Sequence, residues 1–130
     1  MVTADQLVAH AVGDYLLQSD WMATNKTRCS MPAALHALVY SVPFLLLSRS
    51  PVALLIICVS HFLIDRWRLA RYVCWLANWL SPGPRPAWSE VTETGHSSER
   101  PAWLSHWLLV IADNTLHVLI NGWALSRHRH

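Results

Sequence analysis

Charge is scarce in this chain. Asp, Glu, Lys and Arg make up 14% of its 130 residues, whereas soluble domains average about 25%. That is too little to cover a soluble surface. The formal net charge is only +2, and the basic residues lie in short clusters beside apolar runs. A nucleic-acid-binding stripe is excluded on that ground, and no nucleic-acid partner is expected. Glycine is rare, with four residues, and none opens a phosphate-cradling loop. There is no HExxH zinc helix and no serine-nucleophile motif. The three cysteines, Cys29, Cys58 and Cys74, form no CxxC pair and read as reduced packing residues. The N-terminus lacks the basic start of a signal peptide and carries Asp5, so internal spans are expected to direct insertion.

What is abundant is apolar. Hydrophobic residues reach 53%, and eight are Trp, a residue enriched where a bilayer meets water. The pattern predicts an all-α fold, one domain over residues 1–130: a small transmembrane four-helix bundle with an interfacial helical extension. Helices are expected over about 4–23, 31–47, 51–80 and 102–125. Ser30 is a candidate cap for the second, and Pro43 is expected to kink it. The third changes character at Asp65-Arg66-Trp67-Arg68 and continues as an aromatic, basic stretch, which reads as a helix leaving the bilayer along its interface. Residues 81–101 form a polar loop, in which His96 is expected to be solvated. The tail ends Arg127-His128-Arg129-His130. Trp67, Trp75, Trp79, Trp103 and Trp107 read as interface anchors.

Basic residues set orientation. Lys26, Arg28, Arg66, Arg68, Arg71, Arg85 and Arg100 fall in the first and third connections, seven against the three of Arg49, Arg127 and Arg129. Those two connections are therefore expected on the cytoplasmic side.

One spacing recurs. His10 precedes Asp14, His61 precedes Asp65, and in the last segment Asp113 precedes His117. Each pair is i, i+4 and projects from one helix face. With alternating helix directions, all three Asp lie toward the cytoplasm and all three His deeper, with His36 near the same level. An Asp in mid-span costs about 2.5–3.5 kcal/mol on insertion scales, so such groups face the bundle interior and find partners. Imidazole and carboxylate suit a divalent metal, zinc before manganese or iron. His10, Asp14, His36, His61, Asp65, Asp113 and His117 are the expected ligands, for one ion or for two sharing a bridging carboxylate. Asp14, Asp65 and Asp113 are the catalytic candidates, since an ion pair of that kind activates water for hydrolysis. For any single pair a structural hydrogen bond is the blander alternative; a proton or ion pathway is a further meaning of such residues. Gln18 and Asp20 are candidate substrate contacts or caps. Lys26 and Arg28, with Arg66 and Arg68, are either a phosphate-receiving mouth or topology-setting interface charges. His106 is a more distant candidate for the site.

The string His10-Ala-Val-Gly-Asp14-Tyr-Leu-Leu-Gln18-Ser-Asp20-Trp21-Met22, followed by Lys26, His36, His61-Phe-Leu-Ile-Asp65 and Asp113-Asn-Thr-Leu-His117, resembles the bacterial and phage membrane proteins grouped as domain of unknown function 3307. The resemblance covers nearly all of the chain except the 81–101 loop. It implies an integral protein of the bacterial inner membrane and no known reaction. A looser similarity, of pattern only, is to inner-membrane metal-dependent hydrolases. The expectation is a metal-dependent membrane hydrolase whose site lies near the cytoplasmic leaflet, among membrane lipids, acting on a phosphorylated or lipidic substrate. The alternative is a non-enzymatic membrane effector or an ion or proton conduit using the His/Asp network structurally. The nearly featureless runs Val42–Leu47 and Val52–Cys58 weigh against a conduit. A chain this small and Trp-rich is also a candidate for homo-oligomerisation, although no interface motif sets a number.

Overall fold

A computed structural model describes residues 1–128; Arg129 and His130 of the basic tail lie outside the described residues. The fold is all-α, with no strand among the described residues. The helices are α1 (Ala4–Ala11), α2 (Asp20–Asn25), α3 (Ser30–Ser41), α4 (Pro51–Trp67), α5 (Ala70–Leu80), α6 (Trp88–Val91) and α7 (Ala102–Arg127).

Local chemistry explains where the expected four segments break. Thr3 caps α1, its hydroxyl accepting from the Gln6 amide at 3.3 Å. The first segment does not continue to residue 23. A π-helical turn, Val12–Leu16, follows α1, with the Leu17 amide donating to the Val12 carbonyl at 3.0 Å. Ser19 then caps the separate α2. Ser30 is not a cap but the first residue of α3; its hydroxyl accepts from Arg66 Nε at 3.2 Å. Pro43 lacks an amide proton and turns the end of the second segment into a 3₁₀ helix, Val42–Leu46. The third segment is cut at Arg68, which takes the left-handed conformation (φ 51°) between α4 and α5. Within the 81–101 loop lies the short α6. One helix, α7, is long and apolar enough to cross a membrane.

The chain forms two compact units, residues 1–67 with α7 from His117 onward, and residues 68–116. The core of the first unit is Ala9, Tyr40, Phe44, Ile57 and Ala124. Its pattern is inverted relative to a soluble protein. On α3, Met31, Leu35 and Leu38 face outward, while Ala33, His36, Ala37 and Tyr40 are buried. On α4, Val52, Leu55, Val59 and Leu63 face outward, while Ala53, Ile57, His61, Ile64 and Asp65 are buried. The leucines and valines named are outside, while the histidines and Asp65 are inside beside Ile57 and Ile64.

The second unit packs around Ala70, Cys74 and Leu109, with Ala112 and Leu116 against them. Its loop is tied down. Gly95 has φ +77°, and a Cβ there would collide with the Arg71 carbonyl. Asn78 Nδ2 donates to the Gly95 carbonyl at 2.8 Å. His96 is not solvated as expected: its Nδ1 accepts from Asn78 Nδ2 at 2.9 Å and from Arg100 at 3.1 Å. Burial, and then the Arg100 guanidinium, hold its pKa below the ordinary 6.5. The unfolded chain therefore takes up this proton at higher pH than the folded one. The stabilisation is complete above about pH 6.5 and is lost as pH falls through the lowered folded value. The protection factor of the Gly95 amide, its exchange rate relative to the intrinsic rate at the same pH, is expected to fall on acidification from pH 7 to 5, and a His96→Gln variant is expected to lose most of that pH dependence.

Candidate metal centre

The first unit gathers four side chains from three places in the chain. His36 comes from α3, His61 and Asp65 from successive turns of the same face of α4, and Asp14 from the π turn. One ligand atom from each lies within 4.8 Å of the others, so the group can hold a metal ion. His36 Nε2 stands 3.1 Å from Asp14 Oδ1 and 3.2 Å from Asp65 Oδ2. His61 Nε2 stands 3.8 Å from Asp14 Oδ1 and 3.1 Å from Asp65 Oδ2. The two Nε2 atoms are 2.9 Å apart.

These spacings test whether the donors fit a cation. A tetrahedral ion with bonds of about 2.0–2.1 Å sets its ligand atoms about 3.3 Å apart. The five separations bracket that value. A network of ring protons alone fits worse, although the Lys26 ammonium also donates to Asp65 Oδ2 at 2.8 Å. If one Nε2 donates to the other, only one ring proton points at the centre to serve both carboxylates. If both rings carry Nε2 protons, those protons oppose each other. Meanwhile both Nδ1 atoms are buried and find no hydrogen-bond partner among the described residues. With Nε2 facing the centre as a metal ligand, each ring would carry its proton on Nδ1, where no acceptor stands among the described residues.

Asp65 uses both its oxygens. Oδ2 faces the centre, and Oδ1 lies 3.3 Å from His117 Nε2. His117 therefore orients a carboxylate that could ligate a metal, as the partners behind metal ligands commonly do. Lys26, at the end of α2, places Nζ 2.8 Å from Asp65 Oδ2, 3.9 Å from Asp14 Oδ1 and 3.4 Å from His36 Nε2. Its side chain is 17% exposed.

The expected seven-ligand set divides. Asp14, His36, His61 and Asp65 converge, and His117 stands behind Asp65. His10 does not join them: its Nδ1 is 2.8 Å from the Tyr40 hydroxyl. The cause is the π turn, whose extra residue breaks the shared face that an i, i+4 spacing gives in an α-helix. Asp113 lies one turn before His117 on α7, half-buried, in the part of α7 that belongs to the second unit. In the first unit, two carboxylates and two imidazoles thus converge on one point. His106 is exposed. Asp20 is exposed at the start of α2, whereas the Gln18 side-chain oxygen is buried and finds no partner among the described residues.

Three supporting side chains escaped the sequence reading. Tyr40 stacks on His61, with ring centroids 3.6 Å apart and planes 14° from parallel. Asn121 donates to the Tyr40 hydroxyl at 2.6 Å. Gln6 donates to the Val118 carbonyl at 2.6 Å. Each lies four residues from a histidine, in Gln6…His10, His36…Tyr40 and His117…Asn121. Extending the i, i+4 search beyond carboxylates would have found them.

Comparison with curated proteins and with solved structures returns no match. The looser likeness to inner-membrane hydrolases therefore gains nothing from these comparisons. The profile described as protein of unknown function, DUF3307, matches residues 2–120. That span holds the opening His10…Gly13-Asp14 string, the α4 pair and the α7 pair, and the chain belongs to this family.

Proposed function

We propose that this protein is a metal-dependent hydrolase of the bacterial inner membrane, with one divalent ion, zinc by preference, held by Asp14, His36, His61 and Asp65. The observation that carries the reading is the spacing of the four donor atoms, close to the edges of a tetrahedron. Two carboxylates would balance a divalent charge, and two neutral imidazoles complete a set typical of zinc. When bound, such an ion lowers the pKa of water and stabilises developing negative charge. The chain's own residues hold the carboxylates in place: His117 through Asp65 Oδ1, and the π turn through Asp14. His117→Ala is expected to weaken metal binding by about 10–100-fold, the usual effect of losing such a partner; competition with a chelator of known affinity measures it.

The inverted pattern of α3 and α4 supports a lipid environment, because outward Leu, Val and Met stripes suit hydrocarbon and buried polar groups need one another there. The 26-residue α7 supports it too. Four spans, with the Lys26 side toward the cytoplasm, follow from the basic-residue bias. A site close to that leaflet suits a phosphorylated or lipidic substrate. Phosphate release from a phosphorylated lipid in mixed micelles is expected to require added metal and to be lost in Asp14→Asn. Metal-loaded wild type that releases no more than this variant, across a panel of phosphorylated lipids, would sink the hydrolase reading.

A conduit is favoured by one observation. Gln6, His10, Tyr40 and Asn121 are buried together in the first unit, so α1 and α7 supply polar groups that the featureless runs of α3 and α4 do not. Proton flux into vesicles that falls in His61→Ala would favour this reading.

A further inference from the structure

The chain contains nine arginines and a single lysine, Lys26. That lysine, rather than any arginine, reaches the four converging donors. An ammonium is a compact point charge, whereas a guanidinium is a wide planar fork. Lys26 Nζ contacts Asp65 Oδ2 at 2.8 Å and lies 3.9 Å from Asp14 Oδ1, where a bound cation would draw on the same two oxygens. With Lys26 in place, two carboxylates face one positive charge. With a divalent ion in place, the carboxylates are balanced and the ammonium competes with the ion for the same two oxygens. Both cations together would leave one positive charge uncompensated in a largely dry site, which is costly unless an anion accompanies it. The lysine follows the six-residue α2, beside the exposed Arg28. Only its side chain needs to swing.

We propose that Lys26 is an anion-binding residue that a divalent ion releases: the ammonium occupies the centre in the metal-free protein, and metal entry displaces it to the mouth, where it binds a phosphate group of the substrate. This rests on the metal reading above. Binding of metal and of phosphate is then mutually reinforcing, since linkage is reciprocal.

A single lysine makes the wild-type protein its own reporter. Amine-selective acetylation of Lys26 is followed by peptide mass spectrometry, with the N-terminal amine as internal reference. Cobalt(II), whose visible spectrum reports tetrahedral coordination, is the metal probe. Cobalt is expected to raise the Lys26 labelling rate about tenfold. Methyl phosphate, or phosphatidic acid in vesicles, is expected to reverse that rise only when cobalt is present; which of the two does so tells a free phosphate from a lipid headgroup. Lys26→Met is expected to bind cobalt about tenfold more tightly without phosphate, and to gain nothing from it, while Arg49→Gln, at an exposed position outside the site, stays within about twofold of wild type. If cobalt binds but the Lys26 rate stays constant, or if neither phosphate protects it, the proposal is overturned and the metal reading stands. If no cobalt spectrum develops in wild type or in Lys26→Met, the metal reading itself fails, and this proposal with it.

Discussion

Asp65→Ala is expected to lower divalent-metal affinity by well over about 100-fold, more than the 10–100-fold typical of losing a partner behind a ligand. The other carboxylate at the centre, Asp14, has fewer partners. Its Oδ2 meets His36, His61 and Lys26, and its Oδ1 meets His117. Alanine removes a ligand, half of the negative charge that the ion needs, and the group that positions two imidazoles. Asp65→Asn separates these effects. It keeps the shape and one carbonyl acceptor but loses the charge, so it is expected to recover folding while still binding metal poorly. Chelator competition on both variants, alongside a melting curve, checks this. Asp65→Ala binding within about threefold of wild type would remove Asp65 from the ligand set.

Gly13→Ala is expected to destabilise the first unit by about 1–3 kcal/mol, the usual range for overpacking a tight contact. It is also expected to weaken metal binding. A Cβ at this position would lie 2.7 Å from the Tyr40 carbonyl oxygen, 2.8 Å from Tyr40 Cδ2 and 3.1 Å from Tyr40 Cα. Two of those atoms are backbone, so α3 itself must retreat. The retreat acts on both sides of the centre, because Asp14 adjoins Gly13 and Tyr40 stacks on His61. Thermal unfolding in detergent, with and without metal, measures both effects. A variant melting within 1 °C of wild type (a shift small beside that expected for such a change) would show that α3 can yield at no cost.

The same glycine shows how much of this protein was legible in its sequence. The spacing His61…Asp65 sits in the uninterrupted α4, where i, i+4 does place two side chains on one face, and both point to the centre. His10…Asp14 has the same spacing, but a π turn lies between them. Nothing in the residue types Val12-Gly13-Asp14 distinguishes an α turn from a π turn; the distinction comes from packing Gly13 against the Tyr40 backbone. Asp14 therefore reached the centre while His10 went to the Tyr40 hydroxyl. His36 was visible as a lone histidine in an apolar stretch, and its partners are settled only by α3 lying against α4. From the sequence Lys26 reads either as a phosphate-receiving charge or as an interface charge, the usual role of a basic residue in a short connection. Its contact with Asp65 depends on the reversal of the chain between α2 and α3. Arg68 hid the break between α4 and α5 in the same way, because no glycine marks the left-handed residue. Periodicity thus located the polar faces, while the turns that no periodicity describes decided which polar groups meet.

The centre of the account is that four protein donors surround one ion. X-ray absorption at the metal edge of protein extracted in mild detergent tests it most directly. The expected result is one metal per chain, with a first shell of nitrogen and oxygen at about 2.0–2.1 Å, the outer-shell scattering of two imidazoles, and loss of that signal in Asp65→Ala. Protein that retains no stoichiometric metal and takes none up on addition, or a shell containing sulfur or lacking imidazole, would contradict it.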